Sequence, residues 1–76
     1  MLKIEVEAER VERAYNELKD TLSEKEREVI TRFYGIGHMV RHSLEEIAKM
    51  YTVTRERIRQ IKADALVKLG VKLNGR

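Results

Sequence analysis

Val53-Thr54-Arg55-Glu56-Arg57-Ile58-Arg59-Gln60-Ile61 is the stretch whose reading decides the fold. Thr54 is a good helix N-cap, because its hydroxyl can accept from a backbone N–H left over at a helix start. Val53 before the cap and Ile58 at the fourth helical position have the spacing of a hydrophobic staple. The pattern predicts a helix over 55–69. Gly70 then stops it, since glycine accepts the left-handed conformation that follows a helix. At about 100° per residue, Ile58, Ile61, Ala65 and Leu69 fall in one narrow apolar stripe. The opposite side carries Glu56, Arg59, Gln60, Ala63 and Val67, with Arg55 and Arg57 flanking the first turn.

Working outward, Ser43-Leu44-Glu45-Glu46 matches the S-x-x-E capping box, in which serine and glutamate satisfy each other's backbone donors. A short helix over 44–51 follows, burying Leu44, Ile47, Ala48 and Tyr51. Thr52-Val53 is a tight connection to the long helix. A short helix, a tight turn and a longer helix with a polar leading face is the helix-turn-helix pattern. The second helix of that motif enters the major groove.

Ser23-Glu24-Lys25-Glu26 repeats the capping box and starts a helix over 24–34. Val29, Ile30 and Phe33 supply its apolar side, Leu22 precedes it as a staple, and Gly35-Ile36-Gly37 ends it. Residues 7–20 read as a further helix, with Val11, Ala14, Tyr15, Leu18 and Leu22 at three- and four-residue steps. Met1 to Glu5 alternates weakly and fits a frayed end, a strand-like tail or a foreign extension equally. His38 to His42 is a loop, and Val71 to Arg76 a basic tail. The expected fold is all-α, a small helix-turn-helix bundle of about four helices. Its expected divisions are an N-terminal helix (1–21), the helix-turn-helix domain (22–70) and the tail (71–76).

Composition agrees. The 76 residues allow one small domain. Hydrophobic residues are 42% and charged residues 38%, with no proline, which suits a bundle of short helices. The absence of cysteine excludes a disulfide scaffold and a cysteine-based zinc finger. No apolar run reaches membrane-spanning length, no secretory signal core is present, and a cytoplasmic location is expected. Residues 1–30 hold six basic and nine acidic groups, net −3; residues 31–76 hold ten basic and four acidic groups, net +6. A basic half favours a polyanion such as nucleic acid, although the charge alone fits an ordinary solvated surface equally well.

The residue types on the long helix suit base reading. Arginine presents a planar fork matching guanine O6 and N7, glutamate accepts from cytosine N4, and glutamine pairs with adenine. A face meant only for phosphates has no use for Glu56, which the backbone repels unless a base donor or an arginine holds it. The same spacing also describes a solvated face laced with i,i+4 ion pairs.

These residues resemble region 4 of bacterial primary sigma factors. Val53 to Ile61 is similar to the recognition-helix signature of that family. Ser43-Leu44-Glu45-Glu46-Ile47-Ala48 resembles its preceding TLEEV-type helix. Leu22 to Ile30, with Arg32-Phe33-Tyr34-Gly35-Ile36, resembles its first helix, and Ala63 to Leu69 its AxALxKL ending. The resemblance runs in order from Leu22 to Leu69. It implies binding to the −35 promoter element in double-stranded DNA and docking on the β-subunit flap of RNA polymerase, with anti-sigma factors or activators as further partners. On the matching positions, Arg55, Glu56 and Gln60 are the implied base readers. Thr54, Arg57 and Arg59 are implied to hold phosphates or buttress the readers. Lys25 stands where the family has an arginine on the DNA backbone; lysine keeps the charge but loses the bidentate fork.

The chain also departs from the family. Phe33 lies where a second basic residue is common, and the adjacent Arg32 points about 100° away around a helix. Asp64 falls where primary sigma factors often carry a lysine used near activators. The usual arginine- and proline-containing tail is replaced, and the first 20 residues match only loosely. At this length the chain corresponds to an isolated domain or a small sigma-like protein.

No enzyme constellation is present, and no cofactor or metal is expected. His38 and His42 lie in a loop without cysteine or a nearby carboxylate pair. Glu45-Glu46 is explained by helix capping. Met39, Met50 and Tyr51 read as core or rim. Two other functions fit a helix-turn-helix. A stand-alone regulator would need a dimerisation surface, for which the Val11 to Leu22 stripe is the candidate. A polymerase or anti-sigma interaction module would use exposed Ala63 and Val67.

Overall fold

A computed structural model describes residues 3–37 and 40–71. It contains four α-helices and, among the described residues, no strand: α1 (Lys3–Leu18), α2 (Glu24–Tyr34), α3 (Leu44–Tyr51) and α4 (Arg55–Leu69). A 3-10 turn over Lys19–Thr21 links α1 to α2.

The capping chemistry sets the limits of the last three helices. Ser23 and Ser43 each accept from the backbone of the residue three on, and Glu26 and Glu46 reach back to the capping N–H groups at 2.9 Å. Thr54 Oγ1 accepts from the Arg57 backbone N–H at 3.0 Å. Gly35 and Gly70 sit in the left-handed region at φ 71° and 70°. The N–H groups of Ile36 and Val71 then turn back to the carbonyls of Thr31 and Leu66, closing the ends of α2 and α4.

Thr52 makes the turn between α3 and α4. It is left-handed too, with φ 56°, the one described non-glycine residue with positive φ. A β-branched residue is disfavoured there. The turn is held by the Thr52 and Val53 N–H groups, which donate to carbonyls at the end of α3.

The first helix departs from the expected range. It begins at Lys3, because nothing from Lys3 to Val6 breaks a helix, and it ends at Leu18. The chain tightens there into the 3-10 turn. Thr21 Oγ1 donates to the Leu18 carbonyl at 2.7 Å, and Arg27 Nη1 donates to the carbonyls of Lys19 and Leu22. Met1, Leu2, His38, Met39 and the tail from Lys72 lie outside the described residues.

Two apolar clusters hold the bundle together. Ala8 and Val11 of α1 pack with Leu22, Ile30 and Tyr34, and with Ala65, Leu66 and Leu69 of α4. Val29, Ile47, Ala48, Ile58 and Ile61 form the second cluster, where α3 meets α2 and α4. Phe33 is half-buried and touches both. The stripe of Ile58, Ile61, Ala65 and Leu69 is buried as expected, but Leu66 joins it. The buried arc on α4 is therefore about 140° wide, because α1 covers a side that α3 does not reach.

Other expectations shift. Leu44 and Tyr51 are half-buried rather than core, Tyr34 is more buried than Phe33, and Leu18 stays 39% exposed. Val53 also remains 39% exposed beside a fully buried Ile58. Val11 and Leu22 are consumed by the chain's own core, so the α1 stripe does not face outward as a dimerisation surface.

Candidate nucleic-acid interface

The turn at Thr52 leads into α4, whose first two turns carry a polar, exposed face. Arg55, Glu56, Arg57, Arg59 and Gln60 are all exposed, while Ile58 and Ile61 between them anchor the helix. Alternation of buried and exposed positions at helical spacing thus fixes the backbone under a polar face. The Thr54 oxygen is committed to the cap, which leaves its hydroxyl hydrogen available to an outside acceptor.

Two side-chain pairs order this face. Arg59 Nε donates to Glu56 Oε1 at 2.9 Å, and Arg59 Nη2 to Glu56 Oε2 at 2.5 Å. The Arg59 hydrogen bond, with Arg55 adding attraction, holds the Glu56 carboxyl below its ordinary pKa. Glu56 in turn raises that of Arg59. One turn on, Gln60 Nε2 donates to Asp64 Oδ1 at 3.1 Å. Both pairs are solvent-exposed and add little to stability. Their effect is on which polar atoms point where.

Lys25, at the start of α2, comes to the same side of the molecule. A groove of about 110 Å³ is lined by Ser23, Lys25 and Glu26 of the α2 start and by Arg57, Ile61 and Asp64 of α4. The Lys25 ammonium stands 4.8 Å from the centre of the Tyr51 ring. The Tyr51 hydroxyl donates to Glu28 Oε1 at 2.6 Å and accepts from Arg32 Nε at 3.1 Å. Burial, then the Glu28 carboxylate, pushes the Tyr51 pKa up, so the phenol keeps its proton.

Arg32 is therefore tied to α3 and is a poor replacement for the basic residue absent at Phe33. The basic side chain that does stand beside Phe33, and that the sequence did not reveal, is Lys62. Its ammonium lies 4.7 Å from the centre of the Phe33 ring, half-buried, with its pKa lowered by burial. Only the fold brings this pair together, since the residues are far apart in the chain. A second, shallower groove runs past Phe33, Ser43, Leu44, Glu45 and Arg55, where the starts of α3 and α4 approach each other. Ser43, read from the sequence only as a helix cap, belongs to it. Helix starts carry partial positive charge and unpaired N–H groups, which suits phosphate.

His42 lies apart from this face. Its backbone N–H donates to the Arg32 carbonyl at 2.9 Å, and its Nδ1 is buried without a partner among the described residues. No three His, Cys, Asp or Glu side chains gather as a metal site among the described residues. No described helix is long and apolar enough to cross a membrane.

The α3–turn–α4 unit, with a polar exposed face on its second helix, makes this a helix-turn-helix domain. Comparison with known proteins narrows the class. The family "Sigma-70, region 4" matches residues 20–69. The chain is 44% identical over 54 residues to the RNA polymerase sigma factor SigA of Lactococcus lactis subsp. cremoris, covering 71% of this chain and 15% of that protein. It is 54% identical over 50 residues to SigA of Microcystis aeruginosa, covering 66% and 12%. Against SigA of a Bacillus species the identity is 50% over 50 residues, covering 66% and 13%. No solved structure matches significantly. The chain belongs to the sigma-70 region 4 family, DNA-binding domains without enzymatic activity. It spans less than a sixth of the length of these curated relatives.

Proposed function

We propose that this domain reads the −35 promoter element for a sigma factor, with α4 in the major groove, and that it docks on the RNA polymerase β flap. Arg55, Glu56 and Gln60 contact base edges. Thr54, Arg57, Arg59 and Lys25 hold phosphates or support the readers. The observation that carries this reading is the coincidence of the family match with the exposed face at the start of α4. Every assigned reader lies on that face, and both helix-turn-helix anchors, Ile47 and Ile58, lie fully buried beneath it. The other end of α4 supports the docking role. Val67 is 78% exposed, and a groove of about 280 Å³ runs past Arg13, Ala14, Glu17, Leu69 and Val71. A partner there leaves the reading end free. The work is that of a protein acting on DNA in the cytoplasm.

The test is a titration of the chain against a duplex carrying TTGACA and a scrambled control at two salt concentrations. Base readout gives tighter binding to TTGACA at both. Equal affinities that fall together with salt mean phosphate binding alone. The exposure of Val67 favours a second reading, an interaction module whose DNA affinity is too weak to matter. Binding to an isolated flap segment with no measurable DNA affinity would select it.

A further inference from the structure

Asp64 stands one turn beyond Gln60 on the exposed side of α4, and its Oδ1 accepts from Gln60 Nε2 at 3.1 Å. A glutamine amide has two ends of nearly equal size and opposite hydrogen-bonding sense, and half a turn about its last bond exchanges them. An ionised carboxylate only accepts, so Asp64 is satisfied by the NH2 end alone. The flipped amide would set oxygen against oxygen. With the NH2 end held, Gln60 keeps its carbonyl oxygen and a second N–H free. An acceptor beside a donor is the pair that matches adenine N6 and N7. Glu56, the neighbouring acidic residue on this face, holds Arg59 instead. Each carboxylate therefore orients a different side chain.

We infer that Asp64 is a positioning residue for base readout. It fixes the Gln60 amide in the orientation that offers an acceptor and a donor to an adenine edge, and so sharpens the choice at that one base pair. The inference rests on the proposed reading role of Gln60. Asp64 also places a negative charge near the duplex, so removing it raises affinity for every sequence. That charge effect cancels in the ratio of affinities for two duplexes differing at one base pair. Orientation of the amide does not cancel.

The experiment compares the full chain, Asp64→Asn, Gln60→Ala and the double variant on the TTGACA duplex and its single-base variants, by fluorescence anisotropy. Asparagine both donates and accepts, so it no longer selects one end of the amide. In Asp64→Asn, affinity rises on all duplexes. The discrimination ratio falls about two- to fivefold at the base pair where Gln60→Ala loses discrimination, and at no other. In the Gln60→Ala background, Asp64→Asn changes no ratio. A uniform rise with every ratio intact overturns the inference and reduces Asp64 to a charge. Discrimination by the parent that Gln60→Ala leaves unaltered also overturns it, while sparing the region 4 reading. A parent chain without discrimination between TTGACA and the scrambled duplex brings down both. Helical circular dichroism identical to the parent's is expected for all variants, since both residues are exposed.

Discussion

The Glu56 carboxylate takes both of its closest hydrogen bonds from one guanidinium, that of Arg59, a single turn further along α4. The pair keeps Glu56 ionised and aims it, since a charged acceptor held by two donors has little freedom left. It also leaves Arg59 with three further N–H donors for an outside acceptor. Glu56 is thus held in place on the exposed face that is proposed to approach phosphates.

Different losses are expected from the two partners. Arg59→Ala weakens binding on every duplex and lowers the salt dependence by about one counterion, as loss of a phosphate contact does. Glu56→Ala mainly relaxes the choice at one base pair, by about 1–3 kcal/mol. Single-base variants of the −35 duplex, titrated with each mutant, separate these outcomes. A uniform loss of affinity in Glu56→Ala would remove it from the readers.

Ile61→Ala is expected to destabilise the domain by about 2–5 kcal/mol. Ile61 is 7% exposed and packs in the cluster that fastens α3 and α2 to α4. A domain this small has little reserve, so the variant is largely unfolded at moderate temperature. Thermal denaturation followed at 222 nm measures this directly. A midpoint within a few degrees of the parent's would mean that the cluster contributes little.

The limits of α2, α3 and α4 were legible because each is written in local chemistry. A serine or threonine caps each start, and a glycine or the Thr52 turn closes each end. The apolar stripe of α4 was legible for the same reason. Leu66 and Tyr34 were not, because their burial depends on α1 lying across them, and helical periodicity says nothing about which neighbour arrives. Within the site, the exposed positions of Arg55, Glu56, Arg59 and Gln60 followed from spacing. The approach of Lys62 to Phe33, and the bond from Arg32 to Tyr51, are tertiary facts. Arg32 and Tyr51, 19 positions apart, meet only once α2 and α3 have packed, and Lys25 and Arg57, 32 positions apart, line one groove only once α2 and α4 have.

Acid should reveal the role of Glu26. The Ser23 backbone N–H, then Lys68 at 3.0 Å, holds the Glu26 carboxyl below its ordinary value of 4.5. A carboxyl whose pKa is lower in the folded than in the unfolded state stabilises the fold above the unfolded value. That contribution fades as pH falls through the folded value. Glu26→Gln should therefore melt below the parent at neutral pH, by about 4–8 °C if the charged cap and its ion pair are worth about 1 kcal/mol. The two curves should converge as the pH drops below the ordinary carboxylate range. A melting difference that is constant from neutral pH into acid would show that the Glu26 charge is irrelevant to the fold.

The isolated chain is expected to be a monomer that binds −35 DNA weakly. One helix-turn-helix contributes one recognition helix, and single modules bury roughly 600–1,000 Å² of surface. A net charge of +3, with Glu56 and Asp64 on the reading side, gives a modest phosphate attraction. Dimerisation would raise affinity by engaging two half-sites, but Val11 and Leu22, the two ends of the stripe available for it, are buried in the chain's own core, and Ala14 and Tyr15 between them pack against it. A gain in affinity must then come from outside the domain, through tethering that raises its effective concentration at the promoter. Sedimentation at micromolar concentration should give the mass of one chain. Binding isotherms on duplexes with one and two half-sites should give the same weak affinity per site. A dimer that binds the two-site duplex in the nanomolar range would overturn this prediction, and with it the proposal that the domain works as one part of a larger polymerase assembly.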